Sequence, residues 1–96
     1  LNFYTVILNF RDGVYVAQVD AETQTEAVLA WVLKLRREAF VPDYSARLAD
    51  EIIENLPDSP PVGLTGLSGA WCLSAVLEDH LAMINIVLSE RLTTVH

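Results

Sequence analysis

The sequence predicts an α+β fold, a two-layer sandwich in which a four-stranded antiparallel sheet carries two helices on one face, in the order β-β-α-α-β-β. Three observations lead there. Two β-rich runs flank Asp12-Gly13, two middle segments place apolar residues at helical spacing, and two further β-rich runs meet at Glu78-Asp79. The 96 residues suit one domain over 1–96, and 52% hydrophobic content is ample for a packed core.

The first hairpin is expected over 3–20, FYTVILNFRDGVYVAQVD. Asp12-Gly13 suits the positive φ angles of a two-residue type I′ turn, which sets Arg11 opposite Val14 and Phe10 opposite Tyr15. Alternation then puts Tyr4, Val6, Leu8, Phe10, Tyr15, Ala17 and Val19 on a core face. The other face mixes Ile7, Val14 and Val16 with Thr5, Asn9 and Gln18.

Thr23-Gln-Thr-Glu26 matches a capping box, so a helix is expected over 24–40, ended by Pro42. Its stripe is Val28, Trp31, Val32, Leu35 and Ala39, widened by Leu29, Leu33 and Phe40. Asp43 or Ser45 is the expected cap of a second helix over 44–56, with Leu48, Ala49, Ile52, Ile53 and Leu56 facing inward. Asp50, Glu51 and Glu54 fall on its outer side, and with Asp58 they form the most one-sided acidic patch of the chain.

Residues 57–69, PDSPPVGLTGLSG, read as a crossover loop. Its prolines stop the helix and stiffen the exit, and its glycines relax the chain before the next strand. A second hairpin is expected over 70–88 with a two-residue turn at Glu78-Asp79. That turn puts Trp71, Leu73, Ala75, Leu77, Ala82, Ile84, Ile86 and Leu88 on one face, and Cys72, Ser74, Val76, Leu81, Met83 and Asn85 on the other. Residues 89–96 read as a short frayed tail.

Several chemistries find no support. His80, His96 and the single Cys72 have no metal-ligand spacing, so neither metal nor cofactor is expected. A Cys72–His80 nucleophile pair would be separated by roughly 17 Å of strand, with the side chains on opposite faces. Ser68 and Ser74 lack a nucleophile elbow, and the outer carboxylates of the second helix are solvated. Gly63-Leu-Thr-Gly66-Leu-Ser-Gly69 fits neither a Walker loop nor a dinucleotide fingerprint. No enzyme is expected. A formal net charge of −7 repels phosphate backbones and suits a basic protein partner. No membrane-spanning stretch or secretory leader is recognisable, and one cysteine excludes an internal disulfide, so a cytoplasmic location is expected.

The opening YTVIL, DGVYVAQV and TEAV, within residues 4–33, resembles the strand–turn–strand–helix opening of HicB-like antitoxins. The third strand of that family, with its Pro-Gly-Cys element, is missing here. In size and acidity the chain is also similar to small bacterial immunity proteins, which are non-catalytic and neutralise a toxin by covering its active site. These resemblances imply an inhibitor that occludes a basic, nuclease-like toxin. The expected partner-binding residues are Asp50, Glu51, Glu54 and Asp58 on the acidic side, with Ile7, Val16 and Met83 on the mixed sheet face. Two alternatives are a small-molecule pocket near loop 57–69, lined by Trp71, Thr65, Ser68 and Tyr44, and a homodimer joined through sheet faces or edges.

Overall fold

The computed structural model describes residues 1–91. Of the tail expected over 89–96, Ser89 closes a strand and 92–96, with His96, lie outside the described residues. The elements are β1 (Asn2–Phe10), β2 (Gly13–Ala21), α1 (Gln24–Glu38), α2 (Ser45–Asn55), β3 (Val62–Gly63), β4 (Ala70–Leu77) and β5 (His80–Ser89). The sheet is antiparallel and has five strands, in spatial order β2-β1-β5-β4-β3. The four-stranded expectation and its β-β-α-α-β-β order are therefore corrected to β-β-α-α-β-β-β.

The additional strand lies inside the segment read as a plain crossover. Val62 pairs with Cys72 and Gly63 with Trp71, and the Leu64 N–H donates to the Ala70 carbonyl at 3.0 Å. Pro60-Pro61 delivers extended backbone into Val62, and Gly66, at φ 93°, supports the reversal that returns the chain to β4. Too short to show alternation, β3 left no periodic trace in the sequence.

In the first hairpin the turn falls one residue earlier than expected, at Arg11-Asp12, with Phe10 opposite Gly13 and Leu8 opposite Tyr15. Arg11 takes the positive φ, 56°. Gly13 thereby enters the strand, where it leaves room for the Tyr15 ring, and Arg11 reaches the Tyr44 hydroxyl. The changed pairing preserves the parity of the strand, so Tyr4, Val6, Leu8 and Phe10 still point into the core. The second hairpin turns at Glu78-Asp79, both at positive φ (50° and 64°), with Leu77 opposite His80.

Thr23 accepts the Glu26 N–H at 3.2 Å, and the Glu26 carboxylate returns to the Glu22 N–H at 3.1 Å. The box thus closes one residue further out than the pattern implies. Ala39 ends α1 in the left-handed region and is exposed, outside the stripe where it was expected. Neither Asp43 nor Ser45 caps α2. Ser45 Oγ accepts the Val41 N–H at 2.9 Å and donates to the Val41 carbonyl at 2.8 Å, so it locks the connecting turn, and Tyr44 occupies the cap position.

Both helices contribute to a single core with the sheet. Val28, Trp31, Val32 and Leu35 of α1 and Leu48, Ala49 and Ile52 of α2 meet Val6, Leu8, Ile84 and Ile86. The opposite sheet face is left open. Leu29, Leu33 and Ile53, expected inside, are exposed at 40%, 64% and 38%. The stripe of α1 is already full, and further apolar positions fall beyond the arc that a sheet can cover.

Candidate functional site

Two surfaces hold the residues of interest, and they lie on opposite sides of the molecule. On the helical side, Thr25 and Leu29 of α1, Ile53 and Leu56 of α2, and Pro57 and Pro60 beyond it line an apolar groove of about 480 Å³. An ion pair from Arg36 to Asp50 joins the same two helices. Asn55 donates to the Glu51 carbonyl at 2.8 Å and to its carboxylate at 2.9 Å, tying that side chain to its own helix. Glu54, next to Ile53, and Asp58, between Pro57 and Pro60, make no ion pair among the described residues.

Of the four expected acidic contacts, Asp50 is thus committed to Arg36 and Glu51 is held by Asn55, while Glu54 and Asp58 remain available. Five of the six basic side chains sit in ion pairs with Asp20, Glu38, Asp50 or Glu78, and Arg11 lies against Tyr44. That pairing uses four of the thirteen acidic residues and leaves nine without a cation among the described residues, with Glu22 and Glu26 at the start of α1 and Glu54 and Asp58 at the end of α2 among them.

On the other side, the register sets Val16 opposite Ile7, Ile7 beside Asn85, and Met83 between Asn9 and Ser74. Val16 is 60% exposed, whereas Ile7 and Met83 are half-buried. Gln18 Nε2 donates to Thr5 Oγ1 at 3.0 Å, and Thr5 and Ser89 share a hydrogen bond of 2.8 Å. At the end of this face Arg91 pairs with Asp20 and lies 4.2 Å from the centroid of the Phe3 ring. The expected acidic and apolar contacts therefore fall mostly on opposite sides of the fold, with Asp58 the exception, since it shares a cleft with Met83.

A third feature is a cleft of about 380 Å³ where Asp58, Ser59 and Pro60 approach Cys72, Ser74 and Met83. It opens because β3 pairs only with Trp71 and Cys72. None of the four residues expected to line a pocket near this loop does so. Trp71 packs edge-on against Tyr4 at 6.1 Å, and Tyr44 stands at the far end of the sheet between the guanidinium groups of Arg11 and Arg47, 5.1 and 5.0 Å from its ring. Cys72 belongs to the open face, and His80 packs edge-on against Phe10 at 6.2 Å.

Among the described residues no cluster of three or more His, Cys, Asp or Glu is arranged to hold a metal ion, and no helix is long and apolar enough to cross a membrane. No protein-family model, curated protein or solved structure significantly matches the chain. Sequence reasoning missed the groove because Leu29 and Ile53 were assigned to the core. The available signal was the width of the apolar arc on α1, which exceeds what one packing face uses.

Proposed function

We propose that the chain is a non-enzymatic, cytoplasmic protein-binding domain, an immunity- or antitoxin-type inhibitor that docks a basic, nuclease-like toxin on the groove between α1 and α2. One observation carries this reading: Glu54 and Asp58, uncompensated among the described residues, adjoin in sequence Ile53 and Pro57 of an apolar groove lined also by Leu29 and Leu56. Carboxylates of this kind attract a phosphate-binding cleft from a distance, and the apolar floor supplies the contact that holds it. The opening over 4–33 that resembles HicB-like antitoxins agrees with this class of partner.

The test is kinetic. A basic partner captured from the native host should associate with the double variant Glu54→Lys, Asp58→Lys about tenfold more slowly, with a flatter salt dependence. Both residues are exposed, so the fold is retained. An unchanged association rate, or a captured partner that is acidic, would sink the proposal.

A second reading rests on the cleft at Asp58 and Cys72, whose volume falls at the lower end of small-molecule sites. A metabolite that raises the melting temperature, and fails to do so in Ser74→Trp, would favour it.

A further inference from the structure

The open face of the sheet differs from the rest of the surface in charge. The chain has a formal net charge of −7, so most ways of bringing two copies together place carboxylates opposite carboxylates. The open face avoids this. Between the Asp20–Arg91 pair at one end and the hairpin turns at the other, its register positions hold no charged side chain. Arg11, at the turn end, is drawn away to Tyr44.

The uncharged face is apolar where it is most exposed: Val14 at 63%, Val16 at 60%, Val76 at 56% and Leu81 at 55%. Of its polar members, Thr5, Gln18 and Ser89 are already hydrogen-bonded to one another or to the backbone, which leaves Asn9, Ser74 and Asn85 to pair across the contact. Its carboxylates lie at the margins, Asp58 beside Met83 at one edge and Glu90 beside Arg91 at one end, so its centre offers nothing to select a basic partner.

We propose that this face is the contact surface for a second copy of the same chain, joined sheet to sheet about a two-fold axis. The area is sufficient. Four long strands about 4.8 Å apart and about eight residues long give on the order of 500 Å² of flat surface. Side-chain relief raises this toward the roughly 800 Å² per partner of a standard interface. The two groups of residues in the candidate site then have separate roles: Ile7, Val16 and Met83 join the copies, and Glu54, on the helical side, faces outward on both.

Sedimentation across roughly 1–200 μM should show a reversible step to twice the chain mass. The dimer should hold or tighten as salt rises from about 0.05 to about 0.5 M, because screening relieves the repulsion between the two acidic bodies. Val16→Lys and Leu81→Lys, both at exposed positions, should each weaken it at least tenfold while leaving the circular dichroism spectrum unchanged. Lysine is the strict choice, since it lowers the net negative charge and would aid association if charge alone governed it. Glu54→Lys, on the opposite side, should leave the dimer unaltered and slow only the basic partner. A monomer throughout the range, a dimer that dissolves in salt, or one that survives Leu81→Lys (as an edge-to-edge dimer through β2 would) overturns the proposal.

Discussion

Replacing Gly69 by alanine should destabilise the fold more than the same change at Gly66, and the difference isolates one contact. Both glycines hold a positive φ, 75° at Gly69 and 93° at Gly66. An L-residue in that region costs about 1–2 kcal/mol. At Gly66 a Cβ would meet nothing within 4 Å, whereas at Gly69 it would stand 3.2 Å from Leu88 Cβ and 3.7 Å from Leu88 Cδ2. The backbone there cannot easily withdraw, because the Gly69 carbonyl accepts the Leu88 N–H at 2.7 Å. Overpacking of this kind adds roughly 1 kcal/mol, so Gly69→Ala should cost about 2–3 kcal/mol against about 1–2 for Gly66→Ala. Urea unfolding monitored by tryptophan fluorescence would report the difference as a lower midpoint with an unchanged slope. Gly63→Ala is the control, since its nearest neighbour is 3.9 Å away and its φ is not positive, and it should be close to neutral. Equal losses at 66 and 69 would refute the Leu88 contact, and no loss at either would refute the left-handed geometry of the loop.

Two further outcomes follow from side-chain hydrogen bonds. Thr23→Ala removes the acceptor for the Glu26 N–H and should cost about 1 kcal/mol in thermal unfolding, with Thr23→Ser retaining most of the stability. The Trp31 indole N–H is buried without an acceptor among the described residues, so Trp31→Phe removes an unsatisfied donor together with some packing. Its cost should stay below about 2 kcal/mol, against about 3–5 kcal/mol for Trp31→Ala.

Alternation and helical spacing were the legible part of the sequence, since both report which face a residue buries. Tyr4, Val6, Leu8 and Phe10 were readable from period two alone, and a different turn position did not disturb them because the changed pairing kept their parity. What stayed hidden depended on pairing across the fold. Val62-Gly63 becomes a strand only because β4 offers Trp71 and Cys72 as partners. Asp50 belongs to an acidic patch in sequence but is neutralised by Arg36, which no local pattern reveals. Glu54 and Asp58 were legible as outward charges. Their apolar floor was not, because Leu29 and Ile53 carry the same residue types as the core and differ from it only by their angle around the helix.

The strand order also constrains the history of the molecule. β1 and β5 are neighbours in the interior of the sheet, with Phe3 opposite Ser89, so pairs near opposite ends of the described chain hold its two halves together. Contacts of such separation form late, after the loop-closure entropy of nearly the whole chain has been met, and folds that depend on them are slow to form. During synthesis β1 therefore waits beside β2 with its inner edge unpaired until β5 has left the ribosome. A nascent chain halted before His80 would hold two half-sheets with open edges, joined through α1 and α2 but without the Ile84 and Ile86 part of the core, a form suited to chaperone capture and exposed to aggregation.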